Sequence, residues 1–306
     1  MKKLLLSFII INYIFLTGCS NHSVNQLDHG AVSTDVIRNH IPRVKIPSPD
    51  GLKTLECDVA TLDISHTDQG YCMISYFGNC DKVKMQLTTP LKLTYTYTLH
   101  GNWETFPLTG GDGTYRVTIY ENITGSQYVT ILSHDFTITL ENEFNTYLYP
   151  NQYVNFNSKS NALKLGEELA STAHSDLDVV TNVYNYLSKN ITYDIQKSKT
   201  IKSGYLPQVD QILEIKKGIC FDYAAVMATL LRSQGIPTRL EVGYTKNAYH
   251  AWVSVYLKEV GWVNGIVSFN GDDWELMDPT LAASKSEKKL KNFIEDSSNY
   301  ITKYVY

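Results

Sequence analysis

Lys216-Lys217-Gly218-Ile219-Cys220-Phe221-Asp222-Tyr223-Ala224-Ala225 runs from the end of one expected helix into the start of another. Gly218 can stop one helix, and two residues later Cys220 opens another. The first turn of a helix presents unpaired N–H groups and the positive end of the macrodipole. Both favour a thiolate over a thiol, and the thiolate is the nucleophile. From Cys220 to Gln234 the apolar residues Ala224, Val226, Met227, Leu230 and Leu231 occupy more than one face, which predicts a buried central helix. Gly235-Ile236-Pro237 ends it.

Towards the C-terminus, Arg239 to Tyr244, Tyr249 to Leu257, Trp262 to Phe269 and Trp274 to Met277 read as antiparallel strands. Within the second, Ala251, Val253, Val255 and Leu257 share one face. His250, Trp252, Ser254 and Tyr256 share the other, the more polar by composition. His250 therefore stands at a strand start, and Asp278 ends a later strand before Pro279, which would stop the ladder there. A central helix would bring Cys220 to the sheet while neighbouring strand ends present His250 and Asp278. Those three residue types are what acyl transfer through a thioester needs: a thiol nucleophile, a base and an orienting carboxylate. The Cys220 N–H is one natural oxyanion donor, and Tyr205 is a candidate for a second. Taken singly, a helical Cys is more often inert packing and an Asp before Pro is more often a turn.

Towards the N-terminus, Leu177, Val180, Tyr184 and Leu187 recur at helical spacing behind Asp176 and Asp178, and a second helix is expected from Val209 to Lys217. Residues 51–150 carry a different pattern. Leu91 to Leu99, Tyr115 to Tyr120 and Phe136 to Leu140 alternate with period two. Gly110-Gly111-Asp112-Gly113 and Asn122-Ile123-Thr124-Gly125 supply turns between them. Short strands at this spacing predict a small sandwich-like all-β domain, more a spacer or binding module than an enzyme. Helices followed by an antiparallel meander over residues 151–306 predict an α+β catalytic domain.

The first 18 residues read as a targeting segment. Lys2 and Lys3 precede an apolar run too short to span a bilayer comfortably. The run ends in Leu16-Thr17-Gly18-Cys19, which resembles a bacterial lipoprotein signal, so Cys19 is the expected lipidation site after removal of residues 1–18. The chain would then be exported and anchored by lipid to the outer face of the cell membrane, with residues 19–50 as a flexible tether. The formal net charge is −4, and losing Lys2 and Lys3 makes it more negative still. No basic arm or patch points to nucleic acid. An exported chain can form disulfides. A nucleophilic Cys220 must stay free, so Cys72 and Cys80, flanking a short loop, are the preferred pair, with a Cys57 pairing left open.

Four blocks carry a family resemblance: Gly218 to Ala224, Leu230 to Arg239, Tyr249-His250-Ala251-Trp252-Val253 and Trp274 to Thr280. Together they resemble the transglutaminase-like superfamily over about residues 155 to 285. The resemblance implies a papain-like α+β core with a Cys-His-Asp triad at Cys220, His250 and Asp278. It implies peptide or protein amides as substrates, here at the cell envelope, and leaves peptidase and transamidase chemistry both open. No acidic loop has EF-hand spacing, so no metal and no cofactor are expected. The rival reading is a non-catalytic adhesion or wall-binding protein that uses the same core as a scaffold.

Overall fold

In the computed structural model the described residues are 36–245, 248–258, 261–263, 267–269, 274–276 and 300–306. The lipidation candidate Cys19 and the triad candidate Asp278 lie outside them.

The first half is built from antiparallel strands whose apolar residues alternate. They are β1 (Thr54–Cys57), β2 (Ala60–Asp63), β3 (Tyr71–Tyr76), β4 (Val83–Thr88), β5 (Thr94–Leu99), β6 (Asn102–Pro107), β7 (Gly113–Thr124) and β8 (Gln127–Ile138). One sheet has the order β1-β2-β3-β6 and the other β5-β4-β7-β8. In β4, Val83, Met85 and Leu87 are buried while Lys84, Gln86 and Thr88 are partly exposed, as one-sided burial of a pleated strand requires. Leu62, Ile74 and Phe106 of the first sheet join Met85, Tyr97 and Ile119 of the second in one apolar core. The sandwich-like expectation is therefore realised as two facing antiparallel sheets.

Three local expectations shift. The strand expected from Leu91 begins at Thr94, because Lys92 takes a left-handed turn conformation with φ of 64°. β7 runs through Asn122 and Thr124, so the turn is displaced to Gly125. The Cys72–Cys80 pair is not formed; Cys57, Cys72, Cys80 and Cys220 are all free. Cys72 lies near the start of β3, whereas the Cys80 N–H bonds to the hydroxyl of Tyr76 at its far end. Cys80 Sγ instead faces the Lys82 and Asn122 carbonyl oxygens, at 3.5 and 3.6 Å.

The second half supplies the helices α1 (Asn161–Ala170), α2 (Asp176–Asn190), α3 (Ile195–Thr200), α4 (Val209–Ile215) and α5 (Cys220–Ser233). Ser175 caps α2 by accepting from the Asp178 N–H, and Asp178 returns a bond to the Ser175 N–H. α5 is buried on every face from Asp222 to Ser233, as its apolar composition predicts, and packs against α1, α2 and α4 on one side and the sheet on the other. That sheet has the order β13-β12-β11-β16, from β11 (Thr238–Thr245), β12 (Ala248–Leu257), β13 (Gly261–Val263) and β16 (Tyr300–Val305). The span expected as one strand from Trp262 to Phe269 is two. β13 pairs with β12, while β14 (Val267–Phe269) forms a separate hairpin with β15 (Trp274–Leu276). β16 was not foreseen; it pairs along β11 and closes that edge of the sheet.

Residues from Val36 to Tyr306 cluster as one compact unit. Tyr306 joins its two halves, its ring lying 5.6 Å from that of Tyr95 and 6.1 Å from that of Tyr97. Arg232, fully buried on α5, donates to the main-chain oxygens of Tyr149, Thr238 and Tyr306, so one guanidinium holds three segments to the central helix. Within the segment expected to be a flexible tether, residues 19–50, main-chain contacts with the folded body begin at Arg38. The Arg38 N–H donates to the Ala173 carbonyl at 2.8 Å, and the Arg43 N–H to that of Ser233 at 2.6 Å.

Candidate active site

The helix that carries Cys220 starts from two constraints encoded just before it. α4 ends at Ile215, with Lys216 in the left-handed region at φ of 54° as its cap, so Gly218 is not the helix stop that its sequence position suggests. Lys217 and Gly218 form a short strand, β10, parallel to β9 (Thr192–Tyr193). Glycine is needed at 218 for a different reason: a Cβ there would meet the Asp222 Cβ at 2.7 Å. The chain then passes through the extended residue Ile219 into α5, with Cys220 as the first helical residue.

Asp222 organises this turn. It is fully buried, and its Oδ2 accepts from the Ile219 N–H at 2.8 Å, the carboxylate half of a capping box; isoleucine has no acceptor to supply the other half. The same oxygen accepts from Lys197 Nζ on α3 at 2.6 Å, and Oδ1 accepts from the Tyr205 hydroxyl at 2.6 Å. Lys197 Nζ also donates to the Tyr205 oxygen at 2.6 Å, closing a three-membered network. Burial and the bond to Asp222 push the Tyr205 phenol well above its ordinary range. Tyr205 was expected as an oxyanion donor. Its single hydroxyl proton is instead engaged by Asp222, and its place is in the wall of the site.

Cys220 is partly exposed and lines a cavity of about 420 Å³ with His250, Tyr205 and Lys202. Tyr153, Phe221, Tyr249 and Tyr306 give this cavity an aromatic lining. Because Cys220 is the first helical residue, its N–H has no acceptor within the helix and faces the helix's positive end. His250 lies on β12 opposite Gly243 of β11. A Cβ at Gly243 would meet the Ile301 carbonyl oxygen at 2.0 Å, so glycine lets β16 close against β11 beside the histidine. The face shared by His250 is less open than its composition suggests. Trp252 and Ser254 are buried, and Ser254 donates to the buried carboxylate of Glu241, which also accepts from Thr302.

The structure thus brings Cys220, His250 and Tyr205 to one cavity. Asp278 lies outside the described residues, and β15, the strand leading to it, pairs with β14 rather than with the sheet of His250. Sequence reasoning missed Lys197 and the anchoring role of Asp222. The second had a signal, a carboxylate at the third residue of a helix; the first had none, since α3 was not expected. Among the described residues no group of three or more His, Cys, Asp or Glu is placed to hold a metal ion, and no helix is long and apolar enough to cross a membrane.

Residues 163–265 match the family model of the transglutaminase-like superfamily. An uncharacterized protein of Bacillus subtilis (strain 168), YebA, is 38% identical over 106 residues, 28% of this chain and 14% of that one. A protein-glutamine gamma-glutamyltransferase of Pseudomonas aeruginosa is 28% identical over 108 residues, 30% of this chain and 14% of that one. The matched stretch is therefore about a seventh of the length of these two relatives. Among solved structures, the periplasmic domain of TgpA from Pseudomonas aeruginosa, bound to ethylmercury, aligns with 14% identity and a TM-score of 0.36, covering 69% of this chain and 92% of that one.

Proposed function

We propose, from the premise that residues 163–265 are a transglutaminase-like core, that this protein is a cysteine-dependent acyl-transfer enzyme acting on peptide or protein amides. The observation that carries the reading is that Cys220, at the first turn of a buried helix, and His250 line the same cavity. Cys220 Sγ attacks the amide carbonyl carbon as its proton passes to His250. The carbonyl oxygen gains the negative charge and accepts from the Cys220 N–H. Collapse of the tetrahedral intermediate breaks the C–N bond, and the imidazolium returns its proton to the departing amine. The thioester left on Cys220 then passes its acyl group to water or to a second amine. Asp278 is assigned to orient His250 and stabilise its charge.

The site is placed at the cell envelope by a lipid on Cys19. Incubating the chain with a peptide library, with and without an added primary amine, tests the chemistry. Hydrolysed products identify a peptidase, and amine adducts identify a transamidase like the one named among the relatives. Products that persist in Cys220→Ala, or no turnover at all, overturn the reading and leave a binding protein built on the same core.

A further inference from the structure

We propose that a second cleft, beside the Cys220 cavity, is a saccharide-binding site. It holds about 340 Å³ and lies where Lys45 to Pro47 and the segment from Pro150 to Asn157 meet β6. That volume is at the lower end of small-ligand sites and fits roughly two sugar rings.

The wall chemistry selects the ligand class. Trp103 on β6 is 40% exposed at the cleft, an unusual state for so large an aromatic. A pyranose has a face of C–H bonds that lies flat on an aromatic ring and a rim of hydroxyls that need neutral donors and acceptors. The rest of the lining supplies such groups as side-chain amides, Asn151, Gln152, Asn155 and Asn157, together with the carboxylate of Glu104. Asn151 is 5% exposed, and its Oδ1 accepts from the Tyr153 and Val154 N–H groups. Its Nδ2 is buried as well, without a hydrogen-bond partner among the described residues, so the amides open to a ligand are those of Asn155 and Asn157, both exposed. Gln152 is held in place by donating to the Thr98 carbonyl at 2.8 Å and to Glu104. Among the described residues Lys45 is the single cation of the lining, too little to select a phosphate, and its ammonium sits 5.1 Å from the Tyr149 ring centre.

Position adds a consequence. Gln152 lines this cleft while Tyr153 lines the Cys220 cavity, and Leu206 and Tyr205 divide in the same way. A smaller hollow of about 270 Å³ shares Asn155, Phe156 and Asn157, so the groove continues to the first turn of α4 at Val209 to Gln211. If the acyl-transfer reading holds, on which this consequence rests, the substrate is a peptide that carries a sugar. The saccharide site itself does not depend on it.

Binding is therefore measured on Cys220→Ala, where no turnover can occur. The indole N–H resonance of Trp103, identified by its loss in Trp103→Ala, is followed while cellotriose, an N-acetylglucosamine trimer or a sugar-free tripeptide is added. Saccharide binding with a Kd on the order of 1 mM is expected to shift that resonance. Asn155→Ala, an exposed position, is expected to weaken it roughly tenfold, about 1.4 kcal/mol. No shift in the folded protein with either saccharide at about ten times that concentration overturns the proposal. A shift produced equally by the sugar-free peptide also overturns it, and marks the open edge of β6 as a peptide groove. Neither failure bears on whether Cys220 is a nucleophile.

Discussion

The Tyr205 hydroxyl donates to Asp222 across 2.6 Å, tying the wall of the cysteine cavity to the carboxylate that caps the cysteine's own helix. Lys197 completes the link, so the segment from α3 to Tyr205 and the first turn of α5 move as one piece. Asp222→Ala removes the acceptor of three donors at a fully buried site. It is expected to cost about 3 kcal/mol, discounted for the partial exposure of Lys197. Tyr205→Phe removes one hydroxyl and is expected to cost about 1 kcal/mol. Urea unfolding measures both; equal losses would show that the network is not centred on Asp222.

Gly218→Ala tests the same turn from the backbone side. The added Cβ meets the Asp222 Cβ at 2.7 Å, and neither atom is the end of a flexible side chain. A loss of about 2 kcal/mol is expected, with slower alkylation of Cys220 because its helix start is displaced. Unchanged stability and labelling would mean that the turn has slack the structure does not show.

Iodoacetamide near neutral pH should distinguish two of the cysteines. Cys72 is 1% exposed, and burial pushes its thiol up to about 12, so it should stay silent until the protein unfolds. Cys220 should label faster than a model thiol and slow by roughly tenfold in His250→Ala. A Cys220 that labels like a model thiol in both proteins would remove His250 from the mechanism as the base that serves it.

Alkaline pH should unfold the chain through its tyrosines. Burial pushes Tyr71, Tyr153 and Tyr223 up to about 12 from an ordinary value of 10. Burial also raises Tyr97 well above its ordinary value. A phenol whose folded value is raised keeps its proton in the native state while the unfolded chain loses it. Stability is therefore fully present below pH 10 and falls as pH rises towards about 12. Ultraviolet titration should show tyrosines that ionise only together with the loss of circular dichroism. Smooth ionisation of all 22 before unfolding would contradict this.

Arg232→Met keeps an apolar stem of similar length but removes the guanidinium from the Tyr149, Thr238 and Tyr306 oxygens, leaving the last with the Leu240 N–H alone. A loss of about 3 kcal/mol is expected, because buried carbonyls lose partners that water cannot replace. Faster amide exchange along β16 would locate the damage, since Tyr306 is held both by Arg232 and by its pairing with Leu240.

Much of this was legible in the chain because it rests on local rules. The apolar residues after Cys220 cover all faces of a helix, and the alternation from Thr94 to Leu99 fits a half-buried strand. The Gly-x-Cys order put a small residue and the candidate nucleophile at the start of that helix, while the carboxylate two residues further on went unread. Less local features escaped. Gly218 looked like a helix stop, yet Lys216 caps α4 and Gly218 makes room for Asp222. Ser254 and Trp252 looked like an open polar face, yet they are buried; Glu241 on the neighbouring strand accepts from the serine and is itself held by Thr302.

By itself the sequence determined that Cys220 opens a buried helix, that a strand carries His250, and that the first half pairs into sheets. Each follows from periodicity and from the backbone freedom of single residues, which neighbours in the chain set. Only the tertiary structure decided that Lys197 and Tyr205 close on Asp222 and that Cys72 and Cys80 stay apart. It also decided that an exposed tryptophan and a set of amides face one cleft beside the cysteine. Those depend on contacts between residues far apart in the chain, and no local pattern encodes which distant partner will arrive.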